Sequence, residues 1–320
     1  MKYYELKKTE DNKSIVFNLK LNNLIDKSEN NFFAIFTKKT CGNLSFSNKN
    51  FNREETLKNI NEIALYLEFL NNKKIFGLKL QHLNNFFFIE EKIDINNFTN
   101  KNENIDKNIY KLFYKINERY FFFKEEADAI GSNQKSITSL ITYADCIPIA
   151  FFDLKNKLFF SIHSGWKTTA LNIIRNIIYF LKKNFNSNND FLKVIIGPSI
   201  FSDSYSFNPD SLKNFFNEII LKNYEIFKNG LNEKIENNTI HENYEKYLIE
   251  RLNFIKKNFI IYRNKNYFFN FRELLINDIK SCDIEIIDLI DRDTFSDNEF
   301  SSFRKDGEKF IAQGLFTGII

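Results

Sequence analysis

The sequence predicts an α+β fold, with a mixed, largely antiparallel sheet packed by helices in a single domain. Segments with helical spacing of apolar residues and segments with strand-like apolar runs follow one another without strict alternation. The chain has no internal repeat and no linker rich in proline, glycine or serine, since its 320 residues include only 9 glycines and 3 prolines. Residues 1–320 are therefore predicted to form one domain.

Four segments carry the spacing of amphipathic helices. The clearest is 168–185, where apolar side chains form one face and lysines occupy the last turn. The segment 52–70 has similar spacing and begins with acidic residues, which favour a helix N-terminus. Residues 208–220 and 243–259 are also predicted to be helical.

Short apolar runs bounded by polar residues predict the strands. They lie at 31–39, at 74–92 as two strands about the turn Asn84-Asn85, at 136–163, at 191–199 and at 284–290. The end of the chain is predicted to form strands that turn at Asp306-Gly307, because this dipeptide favours hairpins. The polar residues 93–119 are predicted to be a loop or insertion.

Composition excludes several classes of protein. The net charge is +4, with lysines interleaved among acidic residues, so no stripe for nucleic acid is expected. The three cysteines are widely spaced and do not form a disulfide framework. The start of the chain lacks the apolar region of a signal peptide, and no apolar run is long enough to span a membrane. We expect a soluble, cytoplasmic protein. The excess of Phe, Ile, Asn and Lys is typical of an AT-rich genome and predicts no aromatic binding surface.

Residue types that are rare in this chain occur together between Thr142 and Trp166, which contains Cys146, His163 and the only tryptophan. In this segment two apolar runs flank a polar turn and predict an antiparallel hairpin. If the turn centres between Leu154 and Lys155, Cys146 pairs with His163, and opposed side chains can share a metal ion. A register shifted by one residue would place them on opposite faces. Taken singly, each is more often a core or hydrogen-bonding residue; as an opposed pair they favour a functional site.

The residues around this pair suggest an anion site. Gly165 allows a close turn, and the predicted helix starts directly after it. Free backbone N–H groups at a helix start favour an anion, and Lys167 adds a positive charge. Asp145, beside the thiol, is a candidate acid or base.

Several segments resemble, in their order along the chain, the motifs of the laccase-domain family, also called the polyphenol oxidase or YfiH/YlmD-like family. The pair TYADCIPIAFFD and SIHSGWK is similar to the family patterns T-A-D-C-x-P and H-A-G-W-R-G, and is the most specific match. The other similar segments are LKLQHLNNFFFIEE, EEADAIGSNQKSITSLITYADC, VIIGPSIFSDSYSFN and FSSFRKDG. The resemblance extends from about residue 31 to the end of the chain.

The resemblance implies a purine nucleoside phosphorylase, with adenosine deaminase activity in several members. It implies zinc bound by His82, Cys146 and His163, with one coordination position open to activate water or polarise a substrate. The implied partners are small molecules, a purine nucleoside and phosphate. Contacts to phosphate or ribose are assigned to Lys167, Arg304 and the helix start at Thr168, while Asp145 or Asp128 orients a ligand or donates a proton. For Arg304, an exposed charge beside a turn is an equally good interpretation.

Several positions depart from the family pattern. Lys39 stands where an arginine is expected, Ser199 replaces a cysteine, and WKTT replaces a run that contains glycine. The family's terminal T-G-R is absent, and KFIAQG stands there. All three implied ligands are retained, so metal binding is a firmer expectation than turnover. Cys41 and Cys282 match no motif and are expected to be buried thiols, and His241 is expected to be a polar residue near a helix start.

Three other functions remain open. A copper-dependent polyphenol oxidase would need more ligands than the three histidines of this chain, and a blue-copper site would usually need an axial methionine, but the only methionine is Met1. A metal-free enzyme could use Cys146 as nucleophile and His163 as base. A degenerate relative could bind nucleosides without turnover.

Overall fold

Two β-sheets pack face to face, and helices cover their outer faces. The computed structural model describes residues 4–21, 31–45, 52–66, 74–80, 82, 84–90, 112–116, 119–125, 127–208, 210–211, 214, 216–217 and 238–320. The fold is mixed α/β with mixed sheets packed by helices, which confirms the predicted class. Among the helices described, none combines the length and the hydropathy that a bilayer span requires.

The strands are numbered in chain order. They are β1 (Tyr4–Glu10), β2 (Ser14–Leu21), β3 (Asn31–Thr37), β4 (Lys74–Lys79), β5 (Phe86–Ile89), β6 (Leu112–Ile116), β7 (Arg119–Glu125), β8 (Ala129–Ser132), β9 (Ile137–Tyr143), β10 (Ile147–Asp153), β11 (Leu158–Ser164), β12 (Leu192–Ile196), β13 (Ser206–Phe207), β14 (Ile260–Arg263), β15 (Asn266–Phe269), β16 (Glu285–Leu289) and β17 (Gln313–Ile319). The helices are α1 (Arg53–Tyr66), α2 (Trp166–Ala170), α3 (Ile173–Phe185), α4 (Asn238–Asn258), α5 (Phe271–Ser281) and α6 (Phe303–Asp306).

The strands divide among three sheets, a partition that the sequence did not predict. The eight-stranded sheet has the order β1-β2-β3-β17-β9-β4-β7-β6, and the six-stranded sheet has the order β16-β12-β10-β11-β8-β5. A small third sheet has the order β13-β15-β14. Most pairs are antiparallel; β4 is parallel to both β7 and β9, β12 is parallel to β16, and β5 is parallel to β8.

The apolar runs of the sequence are strands buried on both faces. All seven residues of β10 and all seven of β11 are buried. Because side chains alternate along a strand, Phe152 and Phe159 face the core between the sheets, while Phe151 and Phe160 face the core beneath the helices. The phenylalanines of these strands therefore supply packing to two cores.

The segment 168–185 forms two helices. The prediction of one helix over 168–185 is wrong, because Asn172 adopts φ 58° and caps a new helix, α3, by accepting a hydrogen bond from Arg175 N.

Helix α2 is held in place by a buried ion pair between two other helices. The carbonyl oxygens of Thr169 and Ala170 accept hydrogen bonds from the Arg251 guanidinium, which also pairs with Asp278. Helices α4 and α5 thus fix the end of α2.

The predicted C-terminal hairpin is absent, whereas the two strands predicted within 74–92 are present as β4 and β5. These two strands do not pair with each other, because β4 belongs to the eight-stranded sheet and β5 to the six-stranded sheet. At Asp306-Gly307 the chain forms α6 and a 3-10 turn, since the Asp306 carboxylate accepts hydrogen bonds from Ser301 Oγ and Ser302 N. These contacts tie Asp306 back to the preceding residues and close a helical turn in place of a strand reversal.

The other predicted elements have mixed outcomes. Helix α4 contains the predicted segment 243–259 except for its last residue and starts earlier, and α1 lies within 52–70. Residues 91–111 and most of 208–220 lie outside the described residues, whereas β6 occupies part of the predicted loop 93–119. Strands β1 and β2 have no counterpart in the sequence prediction.

Replacement of Asp278 by Asn should destabilise the fold, because it leaves the buried Arg251 guanidinium without its compensating charge. We expect the free energy of unfolding to fall by about 3–5 kcal/mol, measured by urea denaturation. The matched control is Glu62→Gln, which removes the exposed pair with Lys58 and should cost less than about 0.5 kcal/mol. Equal losses in both variants would contradict a stabilising role for the buried pair.

Candidate metal centre

Three side chains converge where the chain crosses between the two large sheets. His82 lies in the crossover from β4 to β5, Cys146 lies in the crossover from β9 to β10, and His163 is in β11. Their ligand atoms all lie within 4.8 Å of one another, and the two imidazole rings meet edge to face with centroids 4.9 Å apart. This group could hold a metal ion.

The hairpin that carries Cys146 and His163 has a different register from the predicted one. His163 pairs with Pro148, so the predicted pairing with Cys146 is wrong by two residues. The Asp153 carboxylate accepts hydrogen bonds from Lys155 N and Asn156 N and stabilises a turn over residues 154–157. A shift of two residues preserves the face of a strand, and therefore Cys146 still approaches His163.

Asp128 supports both histidines. Its Oδ1 atom accepts a hydrogen bond from His82 N at 3.0 Å and lies 3.2 Å from His163 Nδ1, while its backbone oxygen accepts from His163 N at 2.7 Å. With Nδ1 directed at Asp128, the Nε2 atom of His163 is the nitrogen left for a metal. Asp128 is fully buried, and its Oδ2 has no hydrogen-bond partner among the residues that the structure describes. A carboxyl group at this position can offset the charge of a cation.

Gly165 leaves the space that a metal ion would need. A Cβ atom at this position would lie 3.0 Å from Cys146 Sγ, 3.4 Å from His82 Cδ2 and 3.7 Å from His163 Cε1. The backbone of Gly165 is extended, with φ −76° and ψ 176°, so its conformation is open to any residue. The glycine is therefore required for the space among the three ligands and not for backbone freedom. The residues present fit a metal ion.

The electrostatics of the two histidines differ. Burial alone would lower the pKa of His163, but the charge on Cys146 and the hydrogen bond to Asp128 raise it to about 10. The pKa of His82 falls to about 3, because desolvation disfavours the charged form of its ring and because the charges of His163 and Lys167 lie near it. In the absence of metal His82 is thus neutral, whereas His163 holds a proton that an incoming cation would displace.

Asp145 joins the Cys146 crossover to the C-terminal part of the chain. Its Oδ1 atom accepts from Thr294 Oγ1 at 2.8 Å, and its Oδ2 atom accepts from Arg304 N at 2.7 Å. Burial raises the pKa of this carboxyl group, although these hydrogen bonds act in the opposite direction. Its backbone has φ 85°, a conformation that non-glycine residues rarely adopt. Asp145 therefore has a positional role here, and its acid–base role stays a prediction.

A cavity of about 730 Å³ opens onto the three ligands. Its walls are largely apolar and include the aromatic side chains of Tyr143, Trp166, Tyr205, Phe271, Phe303 and Phe310. Besides the two tyrosines, the charged or titratable side chains of the lining are His82, Asp145, Cys146, His163, Arg304 and Glu308. The volume and the flat walls suit a planar heterocycle with a small polar group attached.

The two predicted cationic contacts have different positions. Arg304 lines the cavity, where its guanidinium lies 4.7 Å from the centroid of the Tyr205 ring and donates to Ser206 O. Lys167 is not among the lining residues; its Nζ lies 4.9 Å from the Trp166 ring centroid. The long helix expected to start at Thr168 is instead the five-residue α2, and Thr168 is fully buried. A helix this short provides a weak dipole for an anion.

Other residues singled out in the sequence lie apart from the ligands. Ser199, at a departure from the family pattern, is fully buried and accepts a hydrogen bond from Arg272. Cys41 and Cys282 are half-buried free thiols, and burial raises the pKa of Cys41 to about 11. The His241 side chain lies outside the described residues. Sequence reasoning gave no role to Tyr205, although the motif around Gly-Pro-Ser contains it.

Comparison with known proteins identifies the family. Residues 41–253 match the family described as multi-copper polyphenol oxidoreductase laccase, and the chain belongs to this family. Two solved structures share the fold. The YfiH protein of Bacillus licheniformis is 17% identical, with a TM-score of 0.61 over 90% of this chain and 92% of that one. The YlmD protein of Geobacillus stearothermophilus is 13% identical, with a TM-score of 0.62 over 99% of both chains.

Relatives with higher sequence identity are named purine nucleoside phosphorylase. The chain is 30% identical to the one from Borreliella burgdorferi over 168 residues, which are 49% of this chain and 69% of the relative. It is 30% identical to one from Clostridium acetobutylicum over 33% of this chain and 44% of the relative. It is also 34% identical to one from Staphylococcus aureus over 28% of this chain and 32% of the relative. The chain thus spans less than half the length of two of these relatives.

Replacement of Asp128 by Asn should weaken metal binding, because the amide supplies no charge and can donate where the carboxyl group accepts. We expect the affinity for Zn²⁺ to fall about 10- to 100-fold, measured by competition with a chromogenic chelator. The matched control is Asp153→Asn, a second fully buried aspartate that accepts hydrogen bonds in a turn. That variant should lose stability but keep its metal affinity, and an equal loss of affinity in both would contradict the role of Asp128.

Replacement of Gly165 by Ala should also impair the centre while leaving the backbone unstrained. The added methyl group lies 3.0 Å from Cys146 Sγ, so at least one ligand must shift. We expect about a tenfold or greater loss of Zn²⁺ affinity, with an unchanged far-ultraviolet circular dichroism spectrum. An alanine variant that binds Zn²⁺ as tightly as the wild type would show that the ligands do not close around this space.

Proposed function

We propose that the protein is a zinc-dependent purine nucleoside phosphorylase, which converts adenosine or inosine and phosphate into the free base and ribose 1-phosphate. The observation that carries this proposal is the cluster of His82, Cys146 and His163 on the wall of an aromatic cavity. The names of the sequence relatives support the same reaction. The proposal concerns a small-molecule substrate and requires no nucleic acid or membrane partner.

Zinc is proposed because of the donor set. Two imidazoles and a thiolate are ligands that Zn²⁺ favours, and three protein ligands leave one position for a substrate group. When bound, such an ion acts as a Lewis acid beside the substrate. Copper is less favoured despite the family's descriptive name. A multicopper cluster needs many histidines, and the sequence contains three, of which two belong to this group.

In the proposed phosphorolysis a phosphate oxygen attacks C1′ of the ribose. The C1′–N9 bond breaks, and its electron pair passes to the departing purine. The aromatic walls of the cavity would bind the base and exclude water, which favours phosphate as the attacking group. Arg304 in the lining and Lys167 near His82 would supply positive charge for phosphate. Asp145 would hold the Arg304 backbone in place through its carboxylate.

Adenosine deamination at the same centre is a second reaction within this proposal. Water would replace the amino group at C6 of the adenine, and ammonia would leave. The open face of the three-ligand group favours this reaction, because a fourth position is needed to polarise a substrate group or activate water. Both reactions would use the same cavity for the purine.

Replacement of Cys146 by Ser tests the proposal. We expect the wild type, incubated with inosine and phosphate, to form hypoxanthine and ribose 1-phosphate, and with adenosine to form adenine and inosine, resolved by chromatography. The C146S variant should lose bound zinc and at least about 10²-fold of its turnover, because the remaining pair of imidazoles binds the metal weakly. Cys282→Ser is the matched control, since this thiol lies outside the cavity lining, and it should retain both properties.

Other outcomes favour the alternative functions. Turnover by C146S at the wild-type rate would refute the proposal. Turnover that persists after complete removal of metal, together with alkylation of Cys146 by iodoacetamide, would favour a nucleophilic cysteine. Absence of products with fully metallated wild-type protein would favour a relative that binds nucleosides without turnover. Copper content with oxidation of phenols would favour the polyphenol oxidase.

A further inference from the structure

Tyr205 is an aromatic side chain of the cavity that is held on several sides. Its ring contacts Phe207 and Phe271 edge to face, with centroids 4.8 Å and 5.2 Å away, and the Arg304 guanidinium lies 4.7 Å from its ring centroid. The backbone is also fixed, because Tyr205 N donates to Ser202 O. Side chains on several sides of the ring allow it little freedom of orientation, so the hydroxyl group has a defined position.

Tyr205 lines the cavity that opens onto the candidate metal centre, together with Cys146 and Asp145. Burial raises the pKa of the phenol well above its usual range, and the charges of Cys146 and Asp145 raise it further, whereas Arg304 acts against them. The group is therefore a neutral phenol at physiological pH, which can donate a hydrogen bond into the cavity.

We propose that Tyr205 binds the purine base, donating a hydrogen bond from its hydroxyl group to a ring nitrogen. This inference rests on the proposed function. As the C1′–N9 bond breaks, its electron pair passes to the base, and negative charge spreads over the ring nitrogens. The phosphate oxygen forms the new bond to C1′, and the released base takes its proton from solvent. A fixed donor is more strongly bonded to the departing base than to the neutral nucleoside, so the hydroxyl stabilises the transition state.

Replacement of Tyr205 by Phe removes the hydroxyl and keeps the ring contacts. We expect the affinity of the zinc-loaded protein for hypoxanthine to fall about three- to tenfold, followed through the fluorescence of Trp166, the only tryptophan of the chain and a lining residue. Tyr179→Phe is the matched control, because this tyrosine is 67% exposed on α3 and lies outside the cavity lining. It should bind hypoxanthine like the wild type.

A kinetic comparison separates base contact from a structural effect. For inosine, kcat/KM of Y205F should fall about 10- to 100-fold, as for a hydrogen bond to a charged group. For 7-methylinosine, whose base departs without developing negative charge, the loss should not exceed the about three- to tenfold that a hydrogen bond between neutral groups is worth. Equal losses for both nucleosides would overturn the inference, because they indicate a disturbed cavity.

Failure of the inference is distinguishable from failure of the proposed function. Wild-type phosphorolysis with unchanged hypoxanthine affinity in Y205F overturns the role of Tyr205 alone. Hypoxanthine binding that weakens in Y205F, without phosphorolysis by the wild type, supports the base contact and overturns the phosphorylase. A wild-type protein that binds no hypoxanthine overturns both.

Discussion

A single buried carboxyl group fixes the geometry of the candidate metal centre. Asp128 accepts from the backbone of His82 and contacts the ring of His163 through the same oxygen, and its own backbone N–H donates to Asn85 O. The His82 crossover and strand β11 are therefore held at a fixed separation. His82 adopts φ 58°, which is unfavourable for a histidine and persists only where surrounding contacts determine it. Without Asp128, two of the three ligands would lose their common support.

The remaining parts of the centre are held by contacts between segments far apart in the chain. Asp145 connects the Cys146 crossover to Thr294 and to the backbone of Arg304, and Arg251 holds the end of the helix that begins after Gly165. The packing of the sheets brings the crossovers together, and buried polar contacts then set their positions. Burial supplies most of the stability, whereas these few hydrogen bonds supply the specificity of the site.

The sequence was sufficient for the fold class and for the proximity of His82, Cys146 and His163, but not for the connections between the elements. Cys146 and His163 are conspicuous because cysteine and histidine are rare in this chain, whereas His82 is indicated only by the family resemblance. The predicted register of the β10–β11 hairpin is wrong because Asp153 lengthens the turn through its own hydrogen bonds. The prediction of a hairpin at Asp306-Gly307 is wrong because hydrogen bonds from Ser301 and Ser302 to Asp306 outweigh the preference of the dipeptide for a hairpin turn. The local sequence pattern does not predict these hydrogen bonds.

The three candidate ligands differ in their access to solvent. His82 is exposed, Cys146 is half-buried and His163 is buried, and all three belong to one group. A cation held there would have Cys146 and His163 on its more buried side and the His82 imidazole on its exposed side. Entry and departure would then proceed from the His82 side, by stepwise ligand exchange with small chelators or carrier molecules. The order of burial would thus influence the kinetics of metal loading separately from its equilibrium.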